Sequence, residues 1–324
     1  MERRSVVVLG GAVMDVSVLG ADAAVFARPS TPVEAVRLSP GGDAMNEAAV
    51  LSRLGSRVRL LTLLGEDSVG ALLRGHCERL GIDLSCTAVR PDIATSVNIV
   101  LVDADGERRF LTVPGSSLRR LAPEHLRAGV DALTGSEIVS FASLFVSPCL
   151  GIPEMEELFA AVKAKGCTLC ADMTRRKNGE TCADLKRVLR WVDVLFANQE
   201  EAALLTGTAD PERSAHRLRE SGAGTVLVKL GARGGFCAAP EGNFFFPACP
   251  AERLVDTTGA GDTFAGAFLH ALSGGAELRQ CLRYAAAAAS LCVEQVGCGS
   301  EALMPEAVAA RLRKMPCAAG EAVL

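Results

Sequence analysis

The sequence predicts an α/β fold built on a largely parallel sheet, and three observations carry that expectation. Short β-branched runs alternate with helical segments along most of the chain, the pattern that lays parallel strands under covering helices. Glycines close several of the helical segments, as Gly55 and Gly81 do. The composition, 49% hydrophobic, 22% charged and 4% aromatic, is that of a packed aliphatic globule. With 324 residues the chain can form one large α/β domain carrying a small appendage, and no repeat or low-complexity linker divides it.

Taken in order, Val6 to Leu9 reads as a buried first strand ending at Gly10-Gly11. Asp15 follows, in the region beyond a strand end where open α/β sheets hold ligands, although a turn cap accounts for it equally well. Val33 to Leu38 alternates like an exposed strand. Gly41, Gly42, Asp43 and Asn46 then lead into a helix that ends at Gly55. Capping explains Asp43 alone, but the glycine pair with two polar side chains is more than capping needs. A strand over Val58 to Leu64 and a helix over Val69 to Leu80 follow. Ser96 to Val102, the turn Asp103-Ala104-Asp105-Gly106 and Arg109 to Thr112 read as an antiparallel hairpin, an insertion suited to a flap. Further strands are expected near 138–142, 168–171, 194–197 and 225–229. A late hairpin runs from Gly235-Phe236-Cys237 to Phe244-Phe245-Phe246, the three phenylalanines forming a strand edge buried against the core. Two helices end the pattern, the second through the alanines 285–289.

Several function classes are excluded. The net charge of -4, with no basic stripe, argues against a nucleic-acid partner. The basic N-terminus and Val6 to Leu9 are too short and too quickly interrupted for a secretory signal, and no apolar run reaches the roughly 18 residues that span a bilayer. Twelve cysteines scattered through strand-like and helix-like segments suit reduced thiols in a cytoplasmic protein. Cys167 and Cys170 have half a zinc-site spacing without a second pair. The chain contains no Gly-Lys dipeptide for a Walker loop, and Gly10-Gly11-Ala12-Val13-Met14-Asp15 lacks the Rossmann spacing.

The stretch that organises the chemistry is Asp256-Thr257-Thr258-Gly259-Ala260-Gly261-Asp262, entering an apolar helix. Unpaired backbone N–H groups at a helix N-terminus suit a phosphate. Asp262 can cap that helix, or it can take a proton from a hydroxyl while Gly259, Ala260 and Gly261 hold a phosphoryl group.

The chain resembles the ribokinase-like (PfkB) carbohydrate kinase family over essentially its whole length. The resemblance rests on Asp-Thr-Thr-Gly-Ala-Gly-Asp at 256–262, on Gly41-Gly42 with Asn46, on Asn198-Gln199-Glu200-Glu201, and on Lys229-Leu230-Gly231-Ala232-Arg233-Gly234, in the family's order. It implies a doubly wound, mostly parallel sheet with helices on both faces and a small β lid from about 13–38 and 95–113. It implies an ATP-dependent kinase for a ketose, aldose or sugar acid, with Asp262 as general base and the 259–262 backbone as anion hole. A nucleoside kinase is the alternative, and a non-catalytic sugar-binding protein of the same fold a more distant one. By the same resemblance Asp15, Gly41, Gly42, Asp43 and Asn46 hold substrate hydroxyls. Arg176, in the triplet Arg175-Arg176-Lys177, meets a substrate carboxylate by that resemblance, although Thr174 replaces the asparagine usual there and a solvated loop or a triplet facing ATP accounts for it equally well. Asn198, Lys229, Gly231 and Gly234 serve the nucleotide, and Glu201 organises Mg²⁺ through water. Asp256 and Thr258 resemble a monovalent-cation site for K⁺, closed by the loop Gly297-Cys298-Gly299-Ser300. A homodimer through the lid is the expected assembly, by the resemblance and by the exposed apolar character expected of Val97 to Val102.

Overall fold

The computed structural model describes residues 3–298 and 302–315. The chain opens with strand β1 (Val6–Leu9), β2 (Val13–Leu19), β3 (Ala35–Gly41), helix α1 (Asp43–Arg53), β4 (Val58–Leu61), β5 (Leu63–Gly65) and α2 (Ser68–Arg79). It continues through β6 (Ala88–Arg90), β7 (Val97–Val102), β8 (Arg108–Thr112), α3 (Ser117–Arg120), α4 (Pro123–Asp131), β9 (Ile138–Leu144), α5 (Ile152–Ala164) and β10 (Thr168–Met173). Next come α6 (Cys182–Leu189), β11 (Val194–Asn198), α7 (Gln199–Thr206), α8 (Pro211–Glu220), β12 (Thr225–Lys229), β13 (Gly235–Ala239) and β14 (Gly242–Phe246). The last helices are α9 (Ala260–Ser273), α10 (Leu278–Cys292) and α11 (Pro305–Lys314).

The main sheet has the order β14-β13-β12-β11-β10-β9-β1-β4, parallel from β12 to β4 and antiparallel at its β13-β14 edge. The buried strands are apolar on both faces, as a sheet covered on two sides requires. Alternation along β1 divides the core: Val6 and Val8 pack with α1, α9 and α10, whereas Val7 and Leu9 pack with α4, α5 and α6. The chain leaves β1 for β4 on one side and returns at β9 on the other. That switch opens a crevice beyond the strand ends between β1 and β9.

The second sheet has the order β3-β2-β7-β8, with β2 parallel to β7 and both outer pairs antiparallel. It contains the expected hairpin, and its β3 reaches Gly41, so the same strand delivers the first glycine pair to the crevice. The expected Val58 to Leu64 strand is broken at Thr62. There the chain leaves β1 for a separate pairing of β5 with β6, and the buried Thr62 carbonyl accepts from the Ala88 N–H. Of the apolar residues in Val97 to Val102, Ile99 is exposed, Val100 is buried, and Val97, Leu101 and Val102 are half-buried. Besides Ile99, the exposed large apolar side chains on the strands of this sheet are Val36 and Leu38 on β3 and Phe110 and Leu111 on β8. The three late phenylalanines also divide: Phe246 is buried, Phe245 is exposed, and Phe244 lies under the Arg279 guanidinium at 3.7 Å. No helix among the described residues is long and apolar enough to cross a membrane. Among the described residues the cysteines form no disulfide, and no group of three His, Cys, Asp or Glu side chains converges as a metal site.

Helix α9 is buried along most of its length and crosses α1 at close range. Gly266 permits that approach, since a Cβ there would stand 2.8 Å from Val50 Cγ1 and 3.2 Å from the Glu47 carbonyl. Gly266→Val should therefore destabilise the fold by about 1–3 kcal/mol, read as a lower urea midpoint at unchanged slope.

Candidate active site

The crevice holds a cavity of about 610 Å³ between the main sheet and the small one. Its floor includes Gly10 and Gly11 after β1, and Gly42, Asp43 and Asn46 at the start of α1. Gly259, Gly261 and Asp262 at the start of α9 complete it. Close approach makes the glycines necessary. Gly42 has φ 90°, and a Cβ on it would lie 2.6 Å from the Gly11 carbonyl oxygen. Gly41 has no room because the Asp15 carboxylate lies 2.2 Å from where its Cβ would be.

Asp15 and Asn98 are cross-strand partners of β2 and β7, and the Asn98 amide donates to the Asp15 carboxylate at 2.9 Å. Ser143, near the end of β9, donates its hydroxyl to Asp43. Burial raises the carboxyls of both Asp15 and Asp43, against these hydrogen bonds. Phe145, the first residue after β9, has φ 74°, a conformation costly outside glycine. It turns the chain so that Val146 and Ser147 also line the cavity.

At the centre, the Asn46 amide donates to Asp262 Oδ2 at 2.7 Å, joining the first turns of α1 and α9. Burial, then the nearby Asp43 charge, push the Asp262 carboxyl well above the usual carboxylate range. Gly259 caps α9 in the left-handed region at φ 74°. The Ala260 N–H donates to the Thr257 carbonyl at 3.2 Å, so this amide belongs to the turn and leaves the expected anion hole. Among the described residues, the amides of Gly259, Gly261 and Asp262 have no protein acceptor, and they stand beside the carboxylate at the helix N-terminus.

An acid held ready beside unpaired helix amides is an arrangement for moving a proton and an anion together. Residues 3–306 match the pfkB family of carbohydrate kinases. The chain belongs to that family. As a pfkB protein it is a phosphotransferase with an alcohol group as acceptor. It is 30% identical over 241 residues to the aminoimidazole riboside kinase of Salmonella typhimurium, covering 72% of this chain and 74% of the relative. It is 31% identical to the ATP-dependent ribose-1-phosphate kinase of Halopiger xanaduensis, covering 86% and 88% respectively. Arabidopsis thaliana ribokinase, solved with ribose and ATP, superposes with a TM-score of 0.80 at 26% identity, over 97% of this chain and all of that one. The pfkB chain thus has the ribokinase-like sheet, mostly parallel and flanked by helices, with the small sheet set beside it.

The residues expected to serve a nucleotide lie at and beyond the ends of β11 and β12. Asn198 and Glu201 form a reciprocal cap of α7: the Glu201 N–H donates to Asn198 Oδ1 at 2.9 Å, and the Asn198 N–H donates to Glu201 Oε2 at 2.8 Å. Burial pushes the Glu201 carboxyl up to about 7. Gly231 (φ 60°) and Gly234 (φ 83°) shape the tight loop after β12, and a Cβ on Gly234 would strike the Phe246 carbonyl. Lys229 departs from its expected place in that loop. Its ammonium turns inward to Asp172 Oδ2 at 2.7 Å, and both side chains are nearly buried. Burial opposes the Lys229 charge, and Asp172 outweighs it, raising the ammonium pKa. Asp172 sits where the β9-β10 register shifts, an irregularity that re-aims a side chain.

Arg176 is also not where the resemblance implied. Its guanidinium donates to the Glu180 carbonyl at 2.8 Å, Arg175 pairs with Glu200, and Lys177 is the member of the triplet on the cavity wall. Asp256 accepts from the Thr258 N–H and hydroxyl, from the Gly297 N–H at 3.0 Å, and from Arg108 of β8 at 2.9 Å. Gly299 and Ser300, expected to close that loop, lie outside the described residues.

The Glu201 shift has a defined sign in stability. A carboxyl whose folded pKa is raised contributes stability that is complete below about 4.5 and lost as pH rises through about 7. Glu201→Gln should therefore melt with a shallower fall in temperature than the parent between about pH 5 and pH 8, followed by circular dichroism.

Proposed function

We propose that this pfkB protein transfers the γ-phosphoryl group of ATP to a hydroxyl of a sugar, with Asp262 as the general base. The observation that carries the reading is the Asp262 carboxyl, held at 2.7 Å by Asn46 beside unpaired amides at the start of α9. The acceptor lies in the cavity, its hydroxyls met by Asp15, Asp43 and Asn46, each able to bridge neighbouring hydroxyls. Asp262 takes the proton of the attacking hydroxyl, whose oxygen bonds to the γ-phosphorus as the bond to the ADP oxygen breaks. The N–H groups of Gly259, Gly261 and Asp262 face the charge on the transferring group. A raised pKa makes Asp262 a stronger proton acceptor than an ordinary carboxylate.

The nucleotide is assigned to the loop 229–234 and the ends of β11 and β12. Glu201 has one oxygen engaged by the Asn198 amide and presents the other, which suits a Mg²⁺ ion held through water. Few protein ligands are needed there, because phosphate oxygens and waters complete its shell. When bound, Mg²⁺ would neutralise phosphate charge beside the acids Glu201, Asp172 and Asp43. A carboxylate on the acceptor would meet Lys177 rather than Arg176.

A nucleoside acceptor is the second reading. It is favoured by the apolar wall of Phe110, Leu118, Leu121, Phe141 and Leu150, which is more than sugar hydroxyls require. The ribosyl acceptor in the name of the 30% identical relative agrees with either reading. We also propose that the small sheet acts as a lid inserted in a single kinase domain. We assign its exposed Val36, Leu38 and Phe110 to a contact with a second copy, which a monomeric mass in solution would refute.

ADP release measured across aldoses, ketoses, sugar acids and nucleosides should identify one acceptor class, and no turnover above background ATPase with any of them would overturn the proposal. Asp262→Asn should keep ATP binding while losing about 10²- to 10⁴-fold in kcat. Glu201→Gln should lose about tenfold at limiting Mg²⁺ and regain part of it as Mg²⁺ is raised.

A further inference from the structure

The loop that prepares the anion hole is held by a charge from the small sheet. Arg108, the first residue of β8, donates to Asp256 Oδ1 at 2.9 Å and to the Thr258 hydroxyl. Asp256 is nearly buried, and its Oδ1 also accepts the Thr258 N–H at 2.9 Å and the Thr258 hydroxyl at 2.7 Å. The oxygens that resemble a monovalent-cation site are therefore engaged: the Asp256 carboxylate by a guanidinium, and the Thr258 carbonyl by the Cys292 thiol at 3.6 Å. A metal cation needs several free oxygens converging on one point, and it would be repelled by a guanidinium already on the carboxylate. Among the described residues, the oxygens at this site do not fit K⁺.

We propose that Arg108 takes the place of a monovalent cation, so that this protein needs none. Its fork satisfies the carboxylate and the hydroxyl together, which a spherical ion does through more ligands. Thr258 is followed at once by Gly259, whose left-handed turn starts α9, so a fixed Asp256-Thr258 segment fixes the amides that face the phosphoryl group. Arg108 is thus a positioning residue. Because it belongs to β8, its charge reaches Asp256 only while the small sheet stands over the cavity, and the anion hole is complete only in that state.

The inference rests on the phosphotransfer reading for its kinetic part alone. Melting temperatures in KCl and in choline chloride at equal ionic strength test it without turnover. The parent protein should give the same value in both, whereas Arg108→Ala should melt lower and gain a K⁺-specific rise, as a site vacated for the ion requires. With an acceptor in hand, Arg108→Ala should lose about 10- to 100-fold in kcat at little change in acceptor KM, with part recovered by K⁺. Arg108→Lys should fall between the two. A K⁺-specific stabilisation or activation of the parent overturns the proposal, and so does an Arg108→Ala protein that ignores K⁺. Should that variant not fold, Arg108→Gln gives the same comparison.

Discussion

The hydrogen bond between Asn46 and Asp262 depends on two helices meeting almost backbone to backbone. Helix α1 starts at the end of the small sheet, α9 starts at the loop from Asp256, and their first turns are 216 residues apart in sequence. Gly266 sets their separation by allowing Val50 and the Glu47 carbonyl to lie where a side chain would otherwise be. A wider spacing would part the amide from the carboxyl before it disturbed either helix. The sheet serves the same contact, since β1 and β9 open the crevice into which both helix starts project.

Around that contact the molecule gathers more acid than base. The charges of Asp43 and Asp172 add to the upward push on the Glu47 and Asp262 carboxyls, and Lys229 is committed to Asp172. Glu47 is completely buried, with one oxygen accepting from Ser140 at 2.6 Å and the other without a hydrogen-bond partner among the described residues, and burial pushes its carboxyl well above the usual range. A neutral carboxylic acid is the species such surroundings tolerate, because an unpaired buried charge costs far more than a proton. Proton affinity thus lets the pocket remain acidic in composition without carrying the full charge.

The sequence made the backbone of this site legible and left its cross-chain partners hidden. Glycines at 41, 42 and 259 stand out because they sit at helix starts, and those at 231 and 234 through the family resemblance. Asp262 and Asn46 stand out because they are polar at the mouths of apolar helices. Strand and helix order followed from alternation, one hairpin from its turn, and the rest of the small sheet from the family resemblance. Asn98, Ser143, Asp172 and Arg108 carried no such mark. Their roles come from partners 83, 100, 57 and 148 residues away, supplied by register and topology rather than local pattern. Asn98 alone left a trace, as a polar residue within an apolar strand. Arg176 shows the converse error: a basic triplet names a neighbourhood, but the Glu180 carbonyl decided which member faces the cavity.

The cavity floor is made mostly of main chain and the wall mostly of side chains. At Gly41, Gly42 and Gly259 the floor has no volume to exchange, so point substitution there can damage it but hardly reshape it. Leu118, Val146 and Leu150 line the wall from α3, the turn after β9 and the approach to α5, and each can change size without moving a helix start. Reaction and recognition are therefore separable in this scaffold. A descendant with a different appetite could arise by altering the wall while the machinery beneath it stayed as it is.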